Sequence, residues 1–173
     1  MIKKIVDIND PVLRKKAKLV RKIDKKVLEL IVDMKDTLKA QDDPEGVGLA
    51  APQIGKSFQI FLIDHEGHEK VVINPKLIKI GTIKKTKSED KNPLEGCLSL
   101  PHYYGPVARA NRITISFLNE KGKVLVEEFK GFLAHIVQHE LDHLEGSIFI
   151  DRILEQNSPL FKFTGNEWEE VDL

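Results

Sequence analysis

Apolar side chains near the N-terminus recur with the period of an α-helix. After Asp24 they fall at offsets of 0, 3, 4, 7 and 11 residues, at the positions of Val27, Leu30, Ile31, Met34 and Leu38. These offsets share one helix face, and Asp24 is a suitable N-terminal cap. The polar residues 41–46 that follow, with Pro44 among them, predict a loop.

Short apolar and alternating runs in the middle of the chain predict strands. Residues 58–63 form one such run, and residues 65–68 are typical of a turn into a second run at 71–73. The two histidines of this turn are expected to be exposed to solvent rather than to bind a ligand. Residues 77–83 alternate as a further strand, and the charged residues 84–93 predict a loop.

A second hairpin and a second helix are predicted in the last third of the chain. Two strand-like runs flank the polar residues 119–122, which favour a tight turn. Residues 131–144 carry an apolar helical pattern, and Gly146 lies just past its end. Pro159 limits any terminal helix, and the segment after it is expected to be irregular or frayed.

Together these elements predict a single α+β domain that spans residues 1–173. Hairpin-linked, mainly antiparallel strands would wrap around a central helix. The 173 residues are 41% hydrophobic and 31% charged, which suits one globular core. A short acidic tail would follow the core.

The charge distribution argues against several classes of protein. Lys+Arg and Asp+Glu both number 27, so nothing favours a membrane or sequence-specific nucleic acid as partner. No signal peptide or membrane span is expected, and one cysteine excludes an internal disulfide, so a cytoplasmic location is predicted. The first 26 residues are nonetheless strongly basic. A solvated face explains them more simply than docking on an RNA-rich surface.

The strongest chemical signal is the stretch of residues 138–143. His139 and His143 are four residues apart on one face of the predicted helix, so both can hold one metal ion. Glu140 follows the first histidine and can reach a water on that ion. The spacing therefore predicts a catalytic metal site with its own general base.

A catalytic metal usually has three protein ligands, and the third is not fixed by the helix. Cys97 is one candidate, and the downstream carboxylates Glu155 and Glu167 are others. A metzincin arrangement would need a third histidine ten residues after His139, but that position is Phe149. A Cys/His/His set suits Zn²⁺ or Fe²⁺ better than Mg²⁺ or Ca²⁺.

Two further stretches complete a resemblance to a known family. Residues 46–55 are rich in small side chains around Gln53, and residues 95–99 place Cys97 between glycine and leucine. With residues 138–143, they resemble the three signature motifs of peptide deformylase, in family order. The resemblance covers roughly residues 5–152.

The resemblance implies an activity and a set of site residues. The family removes the formyl group from the initiator methionine of nascent polypeptides and releases formate. Cys97, His139 and His143 would bind one divalent metal, most commonly Fe²⁺ in this family, with Zn²⁺, Ni²⁺ or Co²⁺ able to replace it. Glu140 would be the acid/base, and the Gln53 amide with the Leu98 backbone N–H would form the oxyanion hole.

The substrate-binding residues are predicted less directly. Phe132 and Ile136 lie on the ligand-bearing helix face and, with Val47, are candidates for the wall of a methionine pocket. The backbone near Gly48 and Gly96 is expected to pair with the extended peptide.

Arg109 falls where similar sequences place a basic residue near the substrate, although a surface arginine is nearly as plausible. His135 is interpreted as structural. Many bacterial family members end in a helix that helps to dock on the ribosome. Here Pro159 and the acidic tail leave the mode of any ribosome contact open.

Two other functions remain as alternatives. A His-Glu-x-x-His metallopeptidase would use Glu155 or Glu167 as its third ligand and would not need Cys97. An inactive peptide-binding or ribosome-associated module would carry a structural metal, but the presence of Glu140 and Gln53 argues against it.

Overall fold

The computed structural model describes residues 1–83 and 94–172. The predicted loop at 84–93 lies outside these residues. Three α-helices are numbered along the chain: α1 Lys25–Lys39, α2 Gly131–Glu145 and α3 Phe149–Gln156. Within the described residues, none of these helices is long and apolar enough to cross a membrane.

The strands form two antiparallel sheets, which confirms the α+β prediction. The nine strands of the described residues are β1 Gly48–Ala50, β2 Ile60–His65, β3 His68–Ile80, β4 Leu94–Cys97, β5 Leu100–Pro106, β6 Arg112–Leu118, β7 Val124–Lys130, β8 Leu160–Phe163 and β9 Trp168–Val171. One sheet has the order β1-β2-β3-β6-β7, and the other has the order β4-β5-β8-β9.

Both predicted hairpins form, but the strand after the first turn is longer than expected. Glu66 and Gly67 have φ of 47° and 79° and connect β2 to β3, as a two-residue hairpin turn requires. The runs at 71–73 and 77–83, predicted as separate strands, belong largely to the single strand β3. Asn74, with φ of 51°, falls where the pairing of β3 with β6 shifts register. The bulge interrupts the alternation that sequence reasoning relies on.

The two long helices pack against opposite faces of the five-stranded sheet. In β2, Phe61 and Ile63 belong to the core that includes α2, whereas Ile60 and Leu62 belong to the core that includes α1. Successive strand side chains point to opposite faces, so this run of four apolar residues serves both cores. Helix α2 therefore lies against the sheet as the central element.

The segment after Pro159 is ordered rather than frayed, which corrects the prediction. Helix α3 ends at Asn157, which has φ of 51°, and the chain then pairs with β5 as strand β8 and turns into β9. Leu160 and Val171 pack with Phe149 in a third core. Sequence reasoning missed these strands because each is four residues long and its stabilising partner is distant in the sequence.

Candidate active site

Helix α2 is anchored by the Gln138 side chain, whose amide forms two hydrogen bonds with the backbone of Ala110, as a neighbouring strand would. The Gln138 Oε1 atom accepts a hydrogen bond from the Ala110 backbone N–H at 3.0 Å, and its Nε2 donates to the Ala110 carbonyl at 2.8 Å. At its end, Gly146 has φ of 82°, where a left-handed residue closes the helix. These contacts anchor the helix, and the four-residue spacing puts His139 and His143 one turn apart on the same face.

Three potential metal ligands converge where α2 faces the end of β4. The Cys97 Sγ atom lies 3.3 Å from His143 Nε2, and that nitrogen lies 3.2 Å from His139 Nε2. All three ligand atoms are within 4.8 Å of one another. Ligands of one tetrahedral ion at the usual bond lengths of about 2.0–2.3 Å are spaced in this range. The donor set and its spacing therefore fit a divalent metal.

A buried carboxylate orients the first of these histidines. His139 Nδ1 is 2.6 Å from Glu95 Oε1, which leaves Nε2 free to face Cys97 and His143. Burial works to lower the pKa of His139, but the Glu95 carboxylate and Cys97 together outweigh it and raise that pKa well above its ordinary value. Carboxylates placed in this way fix the ring and increase the basicity of a metal-binding imidazole.

Arg109 is buried behind Glu95 rather than in contact with a substrate cavity. Its guanidinium donates two hydrogen bonds to Glu95, at 2.8 and 2.6 Å, and one to Asp142 at 2.8 Å. Burial disfavours the Glu95 carboxylate, but Arg109 together with His139 and His135 outweighs it and holds the pKa of Glu95 well below its ordinary value. Arg109 thus stabilises the charge that orients His139.

His143 differs from His139 in having no such partner. Its Nδ1 is buried without a hydrogen-bond partner among the described residues. Burial lowers the pKa of His143 well below its ordinary value, which keeps the ring neutral. A neutral imidazole is the form that binds a metal.

Glu140 lines the same cavity as Cys97 and His139, in a setting that suits proton transfer. Its side chain is buried, and its Oε2 has no hydrogen-bond partner among the described residues. Burial raises the pKa of Glu140 to about 7 from the ordinary value of 4.5. A general acid/base is most effective when its pKa is close to the working pH.

The Gln53 amide is oriented by a backbone group. The Ala50 N–H donates to Gln53 Oε1 at 2.8 Å, so the Nε2 end faces Cys97, whose Sγ is 3.4 Å away. Gln53 is 1% exposed and cannot turn freely. An N–H donor is therefore held at the entrance to the ligand cluster.

These groups open onto a cavity of about 310 Å³. Its lining contains most of the residues that the sequence predicted for the site: Val47, Gly48, Gln53, Gly96, Cys97, Leu98, Phe132, Ile136, His139 and Glu140. Arg109 is not among the described residues that line it. Sequence reasoning missed the wall from β5 and one residue of the first hairpin: Leu100, His102, Tyr103, Tyr104 and His65.

A sequence comparison gives the family of this chain. The sequence model of the family described as Polypeptide deformylase matches residues 2–158. The chain belongs to this family. It is an enzyme of the deformylase class, a metal-dependent hydrolase that removes the N-formyl group from nascent polypeptides.

Individual deformylases agree with the family match. The chain is 46% identical over 154 residues to the peptide deformylase of Pseudothermotoga lettingae, covering 88% of this chain and 84% of the relative. For the peptide deformylase of Dictyoglomus thermophilum, the identity is 44% over 156 residues, or 90% and 95% of the two chains. The similarity therefore extends over nearly the whole length of both relatives.

Solved deformylase structures share the fold. The crystal structure from Legionella pneumophila aligns with a TM-score of 0.78 and 39% identity over 88% of this chain and 86% of that one. The structure from Thermotoga maritima aligns with the same TM-score of 0.78 and 38% identity over 88% and 97%.

The two glutamates considered as alternatives to Cys97 for the third ligand lie outside the ligand cluster. Glu155 accepts a hydrogen bond from Arg152 at 2.8 Å on an exposed part of α3. Glu167 is exposed in the turn between β8 and β9. Among the described residues, the group assembled around the two histidines contains Cys97 and neither glutamate.

His135 and His65, which were not predicted to contact substrate, both line the deformylase cavity. His135 Nε2 is 2.6 Å from Glu95 Oε2, although the ring N–H is not aligned for a hydrogen bond. His65 contacts Phe132 edge-to-face, with ring centroids 4.9 Å apart. Neither position could be recognised from sequence, because a hairpin turn and the side of a helix meet here only in the fold.

A methyl group at Gly48 is expected to displace the Glu140 carboxylate. A Cβ there would overlap Glu140 Oε1 and lie 3.0 Å from Ile136 Cγ2. We expect Gly48→Ala to lower kcat about tenfold, because even small displacements of catalytic groups are costly. Metal content should stay at the wild-type level. Formate release and metal analysis on the same preparation measure both, and an unchanged kcat would contradict the proposed position of Glu140.

Proposed function

We propose that this chain removes the N-formyl group with Glu140 as acid/base and with Cys97, His139 and His143 as the ligands of one divalent metal. The observation that carries the proposal is the buried Glu140 carboxylate, which lines the same cavity as Gln53 and two of the three convergent ligands. A divalent metal bound there would polarise the formyl oxygen and lower the pKa of water.

Glu140 would move the proton that the hydrolysis requires. It accepts a proton from the attacking water, whose oxygen adds to the formyl carbon. As the C–N bond breaks, the protonated Glu140 returns the proton to the methionine nitrogen. The products are formate and a free N-terminal amine. The pKa of Glu140, raised to about 7 by burial, suits both transfers near neutral pH.

The Gln53 amide and the Leu98 backbone N–H would stabilise the negative charge that develops on the formyl oxygen. Both residues line the cavity, and the Ala50 N–H keeps the Gln53 donor turned toward Cys97. Hydrogen-bond donors held in place before the reaction stabilise developing charge effectively, because they need not reorganise.

We expect Gln53→Ala to lower kcat by about 10²-fold, in line with the loss of one oxyanion donor. Because Gln53 does not supply a metal ligand, the metal content should stay unchanged. Gln53→Glu is the matched variant: it keeps the size of the side chain but replaces the donor with an acceptor, so it should not recover the rate. Full activity in either variant would remove Gln53 from the mechanism.

The methionine side chain would enter the pocket lined by Val47, Phe132 and Ile136. The peptide backbone would run between Gly48 and Gly96. In support, β1 and β4 are edge strands of their sheets and both reach the cavity. A peptide added to these edges would be recognised through its main chain, which suits an enzyme that accepts many sequences.

The native metal is proposed to be Fe²⁺, with Zn²⁺, Ni²⁺ or Co²⁺ able to occupy the same ligands. One thiolate with two imidazoles is compatible with each of these ions. We further propose that residues 1–173 act as one domain in the cytoplasm and contact the ribosome transiently. The ribosome contact is supported by the basic N-terminal segment, which is largely exposed.

The experiment that tests the function is release of formate from formyl-Met-Ala-Ser by protein loaded with Fe²⁺ or Ni²⁺. We expect formate to be released at the same rate as new amino termini appear. Cleavage of the Met-Ala bond instead would favour the metallopeptidase, and metal-loaded protein without either product would favour an inactive binding module.

A further inference from the structure

The C-terminal hairpin formed by β8 and β9 supports one wall of the catalytic cavity. Tyr103 and Tyr104 of β5 line that cavity, and they pair in register with Lys162 and Phe161 of β8. The hairpin also lies beyond residues 2–158, the part of the chain that matches the family. A wall that belongs to the family-matched part of the chain is therefore backed by a segment outside that part.

Aromatic contacts fix the ring of Tyr104. The Trp168 ring meets it edge-to-face, with centroids 5.5 Å apart, and Trp168 in turn packs against Phe163, directly opposite in the hairpin, at 4.9 Å. Edge-to-face pairs of this kind stabilise beyond their buried area. Trp168 is still 52% exposed, so part of its apolar surface remains accessible next to Tyr104.

The Tyr104 ring lies against the strand that carries Cys97. A Cβ at Gly96 would lie 2.7 Å from Cδ1 and Cε1 of this ring, so Tyr104 covers the residue that precedes Cys97. A peptide with its formyl group at Cys97 that pairs with β4 passes Gly96, and hence Tyr104, within one or two residues of the methionine. The rim formed by Tyr104 and Trp168 therefore faces the side chains that follow methionine.

We propose that Trp168 is a positioning residue for substrate selection: it holds Tyr104 as an aromatic rim that favours peptides with a large apolar side chain after the formylmethionine. The inference rests on the deformylase function proposed above. Pairing of the peptide main chain with β1 and β4 does not distinguish side chains, so the rim would add a preference at the position after methionine.

The test compares two formyl peptides, formyl-Met-Phe-Ala and formyl-Met-Gly-Ala, on metal-loaded full-length protein. In wild type, kcat/KM should be higher for the phenylalanine peptide. Trp168→Ala should reduce that ratio about fivefold, mainly through KM, and Trp168→Phe should restore most of it. Glu169→Gln is the matched control, because it lies on the same strand with its side chain on the opposite face.

The midpoint of thermal unfolding of each variant distinguishes a change in substrate selection from a loss of folding. A Trp168→Ala protein that stays folded but keeps the wild-type ratio would overturn the inference. So would an equal loss for both peptides, since a purely structural role lowers both rates together. Wild-type protein that releases no formate from either peptide would overturn the deformylase function, and the inference with it.

Discussion

Alanine in place of Glu140 is expected to lower kcat by on the order of 10³-fold while a full equivalent of metal stays bound. The carboxylate would carry the proton from water to the leaving nitrogen, whereas the other buried carboxylate near the cluster, Glu95, is held by Arg109 and His139. Metal should be retained because Glu140 is not one of the three convergent ligands. Formate release and metal analysis on one preparation provide the measurement.

Glu140→Gln is the control for packing at this position. The amide has nearly the shape of the carboxylate and fills the same buried space next to Gly48, but it cannot accept the proton. Its rate should therefore be as low as that of the alanine variant. A glutamine variant with more than a tenth of wild-type activity would show that Glu140 acts through packing rather than proton transfer.

Cys97→Ala is expected to have the other large effect, through loss of the metal itself. Two imidazoles would remain of the three ligands that a catalytic ion usually has. Since the ion contributes several kcal/mol to stabilising the reacting charge, activity should fall by on the order of 10³-fold or more. Metal content and formate release are the measurements.

The controls for this variant are Glu155→Gln and Glu167→Gln, which should retain metal and activity. Both glutamates are exposed and remote from the histidines. If Cys97→Ala kept its metal while either glutamine variant lost it, the ligand set would be wrong and the metallopeptidase would be favoured.

The two long helices could be predicted from sequence because their stabilising contacts follow the helical period. Helix α1 begins after Asp24, whose side chain accepts a hydrogen bond from the Val27 N–H as a cap should. Helix α2 ends before Gly146 as expected. The strands of both hairpins could also be predicted from sequence, because a tight turn such as the one at Glu66 and Gly67 is set by neighbouring residues.

Strands whose stability depends on distant partners could not be predicted. Strands β8 and β9 follow Pro159 and carry acidic and aromatic residues that indicate no strand by themselves. They form because β8 pairs with the free edge of β5 and because Trp168 packs against Tyr104, more than 60 residues away in the sequence. The bulge at Asn74 hid the continuity of β3 for a similar reason: Asn74 pairs with the Val20 backbone at 2.8 and 2.9 Å.

The candidate metal ligands could be predicted, but the charges that support them could not. The four-residue spacing predicts that His139 and His143 lie together, and of the three candidates for a third ligand the fold brings Cys97 to them. Arg109, expected near the substrate, instead stabilises Glu95 beneath His139. A buried arginine among carboxylates is a tertiary pairing, and no local pattern distinguishes it from an exposed arginine.

X-ray absorption at the zinc edge, recorded on the zinc-loaded protein, tests the ligand set directly. The Cys97, His139 and His143 set predicts one sulfur at about 2.3 Å together with nitrogen or oxygen neighbours at about 2.0–2.1 Å, and loss of the sulfur shell in Cys97→Ser. A wild-type spectrum without sulfur, fitted by nitrogen and oxygen alone, would contradict the account.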